Sequence, residues 1–299
     1  MLGQRRYTMT DNTLLGPWIR RFLLEYLVQD RNLGENTQHS YRDCLTLLLP
    51  FLANKVGRTV ERLTIEHLSA DHVRLFLHHL EEQRNCAIST RNQRLAAIHS
   101  LAHFVGLRCP EYIGWSAEIH HVPFKKTTQP ATCYLEKDEM DALLAAPDRS
   151  TAQGRRDHRL LLFLYNSGAR ADEEAQLVIA NLNLSPPASV TIVGKGGRTR
   201  HCPLWVTTAD FVKPAVDGRH AQERVFLNRS NRPITRFGIH AMVERYVSKV
   251  SAELPSLASK QVSPHTIRHT TAVHLLRAGV DINTIRAWLG HVSIDTTNI

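Results

Sequence analysis

A helical rhythm fills the first hundred residues of this chain and then breaks off, and no other feature constrains its fold as strongly. Over residues 17–29 the apolar side chains Trp18, Phe22 and Tyr26 recur at steps of four, with Leu23 and Leu27 beside them. Residues 37–53 repeat the spacing with Tyr41, Leu45, Leu48, Leu49 and Leu52. A third stretch, with Asp71 as the expected cap, carries Val73, Leu75, Phe76, Leu77 and Leu80. A fourth, with Ser89 as the expected cap, carries Leu95, Ile98, Leu101, Ala102 and Val105. Apolar rows of this period face one side of a helix and must be buried, so four of them predict a compact helical unit over residues 1–108. Residues 109–132 lose the rhythm: Pro110, Gly114, Pro123 and Pro130 interrupt them, and the basic pair Lys125 and Lys126 sits among them. They read as a linker.

The remaining residues, 133–299, mix periods. Residues 136–146 and 159–165 read as helical, and 189–193 and 199–204 as two strands of a hairpin around GKGGR. A further short strand is expected at 224–227. Helices are expected at 235–250, 264–278 and 281–289, and one more begins at Ser293. The predicted fold is therefore mainly α with a small β-sheet, in two domains.

Composition narrows the function. No apolar run approaches the ~18 residues of a membrane span. The five cysteines are scattered and never form a CxxC pair, which suits reduced thiols in a cytoplasm and neither a disulfide framework nor a structural zinc. The net charge is +9, arginine dominates the basic residues, and both halves carry a basic excess. A polyanion gripped from two sides would meet such a chain.

Three stretches carry chemistry. In SPHTIRHTTAVHLLRAG, Ser263 is an N-cap, Pro264 suits the first helical position and Gly279 closes the helix. His265 and Arg268 share its first turn beside an N-terminus that attracts anions. Arg268 is also in register with Ala272 and Leu275, on the packed side, where an unpaired charge is costly and an anion would relieve it. His265 and His269, four apart, lack an HExxH glutamate, so no metal is expected. In LYNSGARADEEAQL, Gly168 ends a helix, Arg170 stands at the turn, and Glu173 can steer its guanidinium. In IVGKGGRTRHCPL, Lys195 sits at a hairpin tip between glycines; the GxxxxGK spacing of a phosphate-cradling loop is absent.

Their order is more specific than any one of them: an Arg turn, a Lys hairpin, an HxxR helix, then Gly290–His291 before a terminal helix. With LLFLYNSGARADE, VGKGGRTRHCPL, SPHTIRHTTAVHLLRAGVDINTIRAWLGH and SIDTT, the chain resembles the tyrosine recombinases, the phage-type integrases, Xer-type recombinases and transposon integrases. ENTQHSYRDCLTLLLPFL and STRNQRLAAIHSLAHFV are similar to that family's helical core-binding (SAM-like) domain. The resemblance implies a C-clamp on duplex DNA, a tetramer on the recombination site, no cofactor, and strand exchange through a 3′-phosphotyrosine. It implies that Arg170 and Arg268 clamp the scissile phosphate and Lys195 protonates the 5′ oxygen. His265 would assist proton transfer, His291 hydrogen-bond the phosphate, and Glu173 support the site from behind. Asp172 and Glu174 stand where small or apolar residues are commoner.

In the family the nucleophilic tyrosine lies nine residues past the His of the Gly-His pair. Here Thr296, Thr297, Asn298 and Ile299 fill that approach and the sequence ends one residue earlier. The expectation is a chain that binds DNA without cleaving it alone, with its tetramer weakened by the missing C-terminal helix. The alternatives are a nonenzymatic DNA-binding remnant and a helix-turn-helix regulator built on AVHLLRAGVDINTIRAWLGH. Candidate DNA contacts are Arg91, Asn92 and Arg94 on the fourth helix, expected in the major groove, with Arg42, Lys125 and Lys126. If roughly six phosphates are neutralised, affinity for duplex DNA should fall by ~10³ between 50 and 200 mM salt. A flat salt response in a fluorescence-anisotropy titration would contradict this.

Overall fold

The computed structural model describes residues 13–127, 133–194 and 197–290. Backbone contacts divide the chain into two units, Met1–Gln129 and Pro130–Ile299.

The first unit is all helical among its described residues. Helix α1, Leu15–Arg21, continues into a wider π-helical stretch, Phe22–Asp30. It is followed by α2 (Glu35–Val56), α3 (Ala70–Glu82), α4 (Ile88–Arg108) and α5 (Ile113–His120). The apolar rows read from the sequence do meet: Phe22, Leu48, Leu52, Phe76, Leu95, Ile98 and Leu101 are fully buried together. The Phe104 ring lies 5.8 Å from that of Phe22 and 5.2 Å from that of Tyr26.

Several local expectations are corrected. The cap of α3 is Ser69, whose hydroxyl accepts from His72 N–H at 3.2 Å, so Asp71 falls inside the helix. Helix α4 starts at Ile88, ahead of Ser89, with Ala87 at the cap. The expected linker is largely structured: a turn at Pro110–Tyr112 leads into α5, Ile119 and Val122 join the core, and Trp115 Nε1 donates to Leu68 O at 2.7 Å. Proline at the start of a turn is compatible with helix, and the short α5 carries too few residues to show a period.

Arg91 is the main correction. It is 5 % exposed and does not stand on the solvated face of α4. It leads the i, i+4, i+7 row of Leu95 and Ile98 and so points inward. Its guanidinium donates to Pro123 O at 2.9 Å and lies 3.5 Å from Glu81. Asn92 exchanges hydrogen bonds with the Lys125 backbone at 2.7 and 3.1 Å, and Lys125 Nζ pairs with Glu81 at 2.6 Å. Arg94 donates to Ser40 O at 2.8 Å. Arg42 and Lys126 are the exposed members of the set with no buried partner among the described residues.

The second unit wraps helices around α7 (Ala152–Ser167), whose last eight residues are all buried. Before it lies α6 (Lys137–Ala145), and after it α8 (Ala171–Gln176). The sheet consists of β1 (Leu182–Asn183), β2 (Ser189–Val193) and β3 (Thr199–Pro203), antiparallel in that order, with Val190 opposite Cys202 and Ile192 opposite Arg200. Helices α9 (Val206–Val216), α10 (Arg236–Ser251), α11 (Pro255–Ala258), α12 (Pro264–Arg277) and α13 (Ile282–Leu289) complete it. The mainly α fold with a small sheet agrees with the sequence. Residues 224–227 form no strand; they make only isolated bridges, Val178 with Arg224 and Leu227 with Pro233.

The core of this unit contains one unpaired acid. Glu174 is 1 % exposed and neither carboxyl oxygen has a hydrogen-bond partner among the described residues. Burial pushes its pKa well above the usual carboxylate value. Between the unfolded value near 4.5 and the raised folded value, the folded chain holds a proton that the unfolded chain gives up. Stability from this group is therefore complete below pH 4.5 and is lost as pH rises. Glu174→Leu should raise stability at pH 7 by about 1–3 kcal/mol in urea unfolding. The gain should shrink as pH falls towards 4.5; a loss of stability, or a gain independent of pH, would show that the carboxyl is satisfied.

Candidate active site

The site is assembled from helix ends. Helix α7 stops at Gly168, which adopts a left-handed conformation (φ +56°), and a Cβ there would fall 2.3 Å from Leu289. Glycine is required on both counts. The turn places Arg170 at the cap of α8. Its N–H donates to Glu173 Oε2 at 2.9 Å and its guanidinium to Oε1 at 2.8 Å.

Helix α12 begins as its sequence prescribes, with Ser263 Oγ accepting from Thr266 N–H and Pro264 at the first position. One turn on, Arg268 is 2 % exposed, the largest side chain of the fully buried set. It donates to Gly168 O at 2.6 Å and to Leu289 O. No carboxylate pairs with it among the described residues. Burial, then the like charges of Arg170 and Arg200, lower its pKa to about 9, against the pull of Glu173. At neutral pH it remains a cation.

His265 opens to solvent on the same first turn, its ring 4.4 Å from that of His269. Partial desolvation, then His269, Arg268 and Arg170, hold its pKa below the ordinary imidazole value, so it is neutral at pH 7 and able to accept a proton.

Arg200 escaped the sequence reading. It is 8 % exposed on β3 and donates to Glu173 Oε2 at 2.6 Å. Glu173 is thus buried between two guanidinium groups. Burial alone would raise its pKa, but Arg200 and the Arg170 N–H and guanidinium outweigh that and hold it at about 2. The available signal was the strand alternation, which puts Arg200 on the inward face with Cys202. Arg200 also reaches the two segments that carry the remaining candidates. A Cβ on Gly290, the residue before His291, would lie 3.0 Å from Arg200 Cδ; one on Gly194, the residue before Lys195, would lie 3.7 Å from Arg200 Nη1.

The structure therefore brings together Arg170, Glu173, His265 and Arg268. Lys195, His291 and the stretch begun by Ser293 lie outside the described residues. Among the described residues no group of three His, Cys, Asp or Glu is placed to hold a metal ion. No helix is long and apolar enough to cross a membrane. What the cluster can offer is an anion site: a buried arginine, a half-exposed arginine and a neutral histidine, with a carboxylate that is already committed to Arg170 and Arg200.

Residues 133–299 match the phage integrase family, and residues 19–107 the phage integrase N-terminal SAM-like domain. The chain is 35 % identical over 293 residues to the putative integrase/recombinase y4rC of Sinorhizobium fredii, covering 97 % of this chain and 88 % of that one. It is 32 % identical over 282 residues to the tyrosine recombinase XerC of Pelobacter propionicus, covering 93 % and 88 %. Among solved structures, the Tn1549 transposon integrase in complex with circular intermediate DNA has the same fold, with a TM-score of 0.69 at 15 % identity over 95 % of this chain and 94 % of that one. A lambda integrase dimer bound to a COC′ core site gives 0.68 at 12 % identity, over 95 % and 75 %. The chain belongs to the phage integrase family of tyrosine recombinases, whose activity is site-specific DNA recombination.

Removing Arg200 tests the internal support of the cluster. Arg200→Met leaves a buried carboxylate with one guanidinium fewer and should cost about 3–5 kcal/mol. Glu173, with its folded pKa below the unfolded value of 4.5, contributes stability that is present above pH 4.5 and lost as pH falls towards 2. The penalty of Arg200→Met, measured by urea unfolding, should therefore shrink over that acid window. A penalty constant from pH 7 to pH 3 would detach it from Glu173.

Proposed function

We propose that this tyrosine recombinase binds duplex DNA and holds the scissile phosphate between Arg170 and Arg268, with His265, Lys195 and His291 completing the site. The observation that carries the reading is Arg268: a buried cation whose partners are two neutral carbonyl groups. An entering phosphate oxyanion supplies the missing counter-charge, and the two arginines then stabilise the negative charge that grows on the phosphoryl oxygens in the transition state.

The step proceeds by in-line displacement. A tyrosine oxygen bonds to phosphorus, the bond from phosphorus to the 5′ oxygen breaks, and a 3′-phosphotyrosine remains. The phenol proton passes to His265, which is neutral for that purpose, and Lys195 delivers a proton to the 5′ oxygen. Rejoining runs the same path backwards with a second 5′ hydroxyl. Glu173 takes no proton, because its low pKa keeps it ionised; it orients Arg170.

The tyrosines of the second unit are engaged elsewhere. Tyr165 shares a hydrogen bond with His274 at 2.8 Å, Tyr246 donates to Asp157 at 3.0 Å, and the Tyr134 hydroxyl accepts from Arg277 at 3.0 Å. We therefore assign the nucleophile to none of these three tyrosines, and a polypeptide of these 299 residues to DNA binding without covalent capture. Of the candidate DNA contacts, Lys126 and Arg42 are exposed and open to phosphates, Arg42 sharing only a surface ion pair with Asp43, while Arg91 is retained inside the protein. A helix-turn-helix regulator is less well supported: α12 is mostly buried, and that reading gives the interior guanidinium no task.

An SDS-resistant protein–DNA band tests the reading. The 299-residue polypeptide should bind a cognate nicked duplex and give no such band. Extension by a tyrosine and a family-like helical tail should produce it, since a lone terminal turn would fray. Arg268→Ala in the extended protein should reduce adduct formation by on the order of 10²–10³ or more. A band from the unextended polypeptide alone would mean that the nucleophile has been misplaced; DNA binding with no band from either would favour a nonenzymatic binder.

A further inference from the structure

A second concentration of arginine lies at the other end of α7. A cavity of about 460 Å³ opens there between the first turns of α7, the end of α9 and residues 225–231, lined by Arg156, Arg159, Arg219 and Arg229 with Val225 and Leu227 as its apolar part. Its size is that of a small-molecule site. It is separate from the catalytic cluster: Arg159 lies nine residues before Gly168, about 14 Å along the helix axis.

The arginines differ in how far they are neutralised. Arg156 shares Asp157 with Arg245, at 2.6 Å each. Arg219 pairs with Glu223 at 3.2 Å and also binds the carbonyl oxygens of Ala215, Arg224 and Val225. Arg159, half-buried, has no carboxylate among the described residues. Its Nε donates to Phe211 O at 2.6 Å, and its two terminal nitrogens have no hydrogen-bond partner there. Arg229, exposed, has no partner of either kind among the described residues. Neighbouring Arg155 adds a charge met, among the described residues, only by the carbonyl groups of Arg149 and Ser150. Burial, then Arg155, lowers the pKa of Arg159, as expected of a cation crowded by its own kind. Several guanidinium groups around one concavity, with donors unspent and too few carboxylates, is the reverse of what packing alone selects.

We propose that this cavity is a binding site for a phosphoryl oxyanion, gripped by the terminal nitrogens of Arg159 and by Arg229. Arginine's planar fork matches phosphate oxygens, and the apolar part excludes water from the contact. Two sources share this chemistry, a backbone phosphate of duplex DNA and a free polyphosphate such as a nucleoside triphosphate. The grip on the oxyanion does not depend on the recombinase reading; only the duplex source does.

Calorimetric titration of the 299-residue protein with inorganic pyrophosphate, at about 0.15 M ionic strength, tests it. With the catalytic anion site disarmed by Arg170→Ala, one site is expected, weakened by about tenfold or more when Arg159→Gln or Arg229→Gln is added. Arg229 is exposed, so its variant remains informative if Arg159→Gln fails to fold. Absence of binding in the Arg170→Ala background, or binding there that neither Gln substitution weakens, would overturn the proposal. Duplex binding identifies the source. If Arg229→Gln lowers the salt dependence by about one phosphate and pyrophosphate competes with DNA, the ligand is the duplex backbone. If duplex binding is unchanged while pyrophosphate binding is lost, it is the free polyphosphate.

Discussion

Arg268 is buried with two carbonyl oxygens as its partners and, among the described residues, no carboxylate, and much of the second unit is arranged around that fact. One carbonyl comes from Gly168, where α7 ends, and the other from Leu289, where α13 ends. Both helices must therefore stop where they do, with left-handed glycines at 168 and 290 turning the chain away. The Ser263 cap and Pro264 fix the start of α12, so that Arg268 arrives one turn in and faces those two ends. Burying a cation in this way is unfavourable in isolation. It is compatible with a folded protein when the same charge is wanted by a bound anion.

The turn after Gly168 divides the electrostatic work between adjacent residues. Glu173 is ionised, enclosed by Arg170 and Arg200, and keeps the cationic cluster from repelling itself apart. Glu174, one residue on, faces away into the apolar core, where it is neutral and unpartnered. Two identical side chains thus hold opposite protonation states because of the direction in which a six-residue helix points them.

The parts of the site legible in the sequence are those written locally. Gly168, Arg170 and Glu173 follow from how a helix ends and the next begins; Ser263, Pro264, His265 and Arg268 follow from how one starts. Arg200 was missed because its partner lies 27 residues away, and an arginine in a polar hairpin reads as solvated unless the strand's inward face is known. Arg91 was misread for the converse reason: its row on α4 is apolar further along, yet the charge at its head suggested the outside. Helices α5 and α9 were not foreseen. The first is short and sits among prolines; the second opens with Val206, Thr207 and Thr208 and contains Pro214, all poor helix formers that packing overrides. The two-residue β1 exists only as a partner of β2 and has no pattern of its own.

The hairpin β2–β3 places an arginine on a face otherwise occupied by Val190, Ile192 and Cys202. Side chains alternate along a strand, so a one-residue slip of β3 against its neighbour would turn Arg200 to solvent and press Thr199 or His201 inward. Glu173 would then be left in the interior with half its counter-charge. Mispairing of the sheet and loss of Glu173's second guanidinium are the same event, and the ion pair acts as a proofreader of strand register: only the correctly threaded hairpin yields a chain whose buried carboxylate is fully compensated.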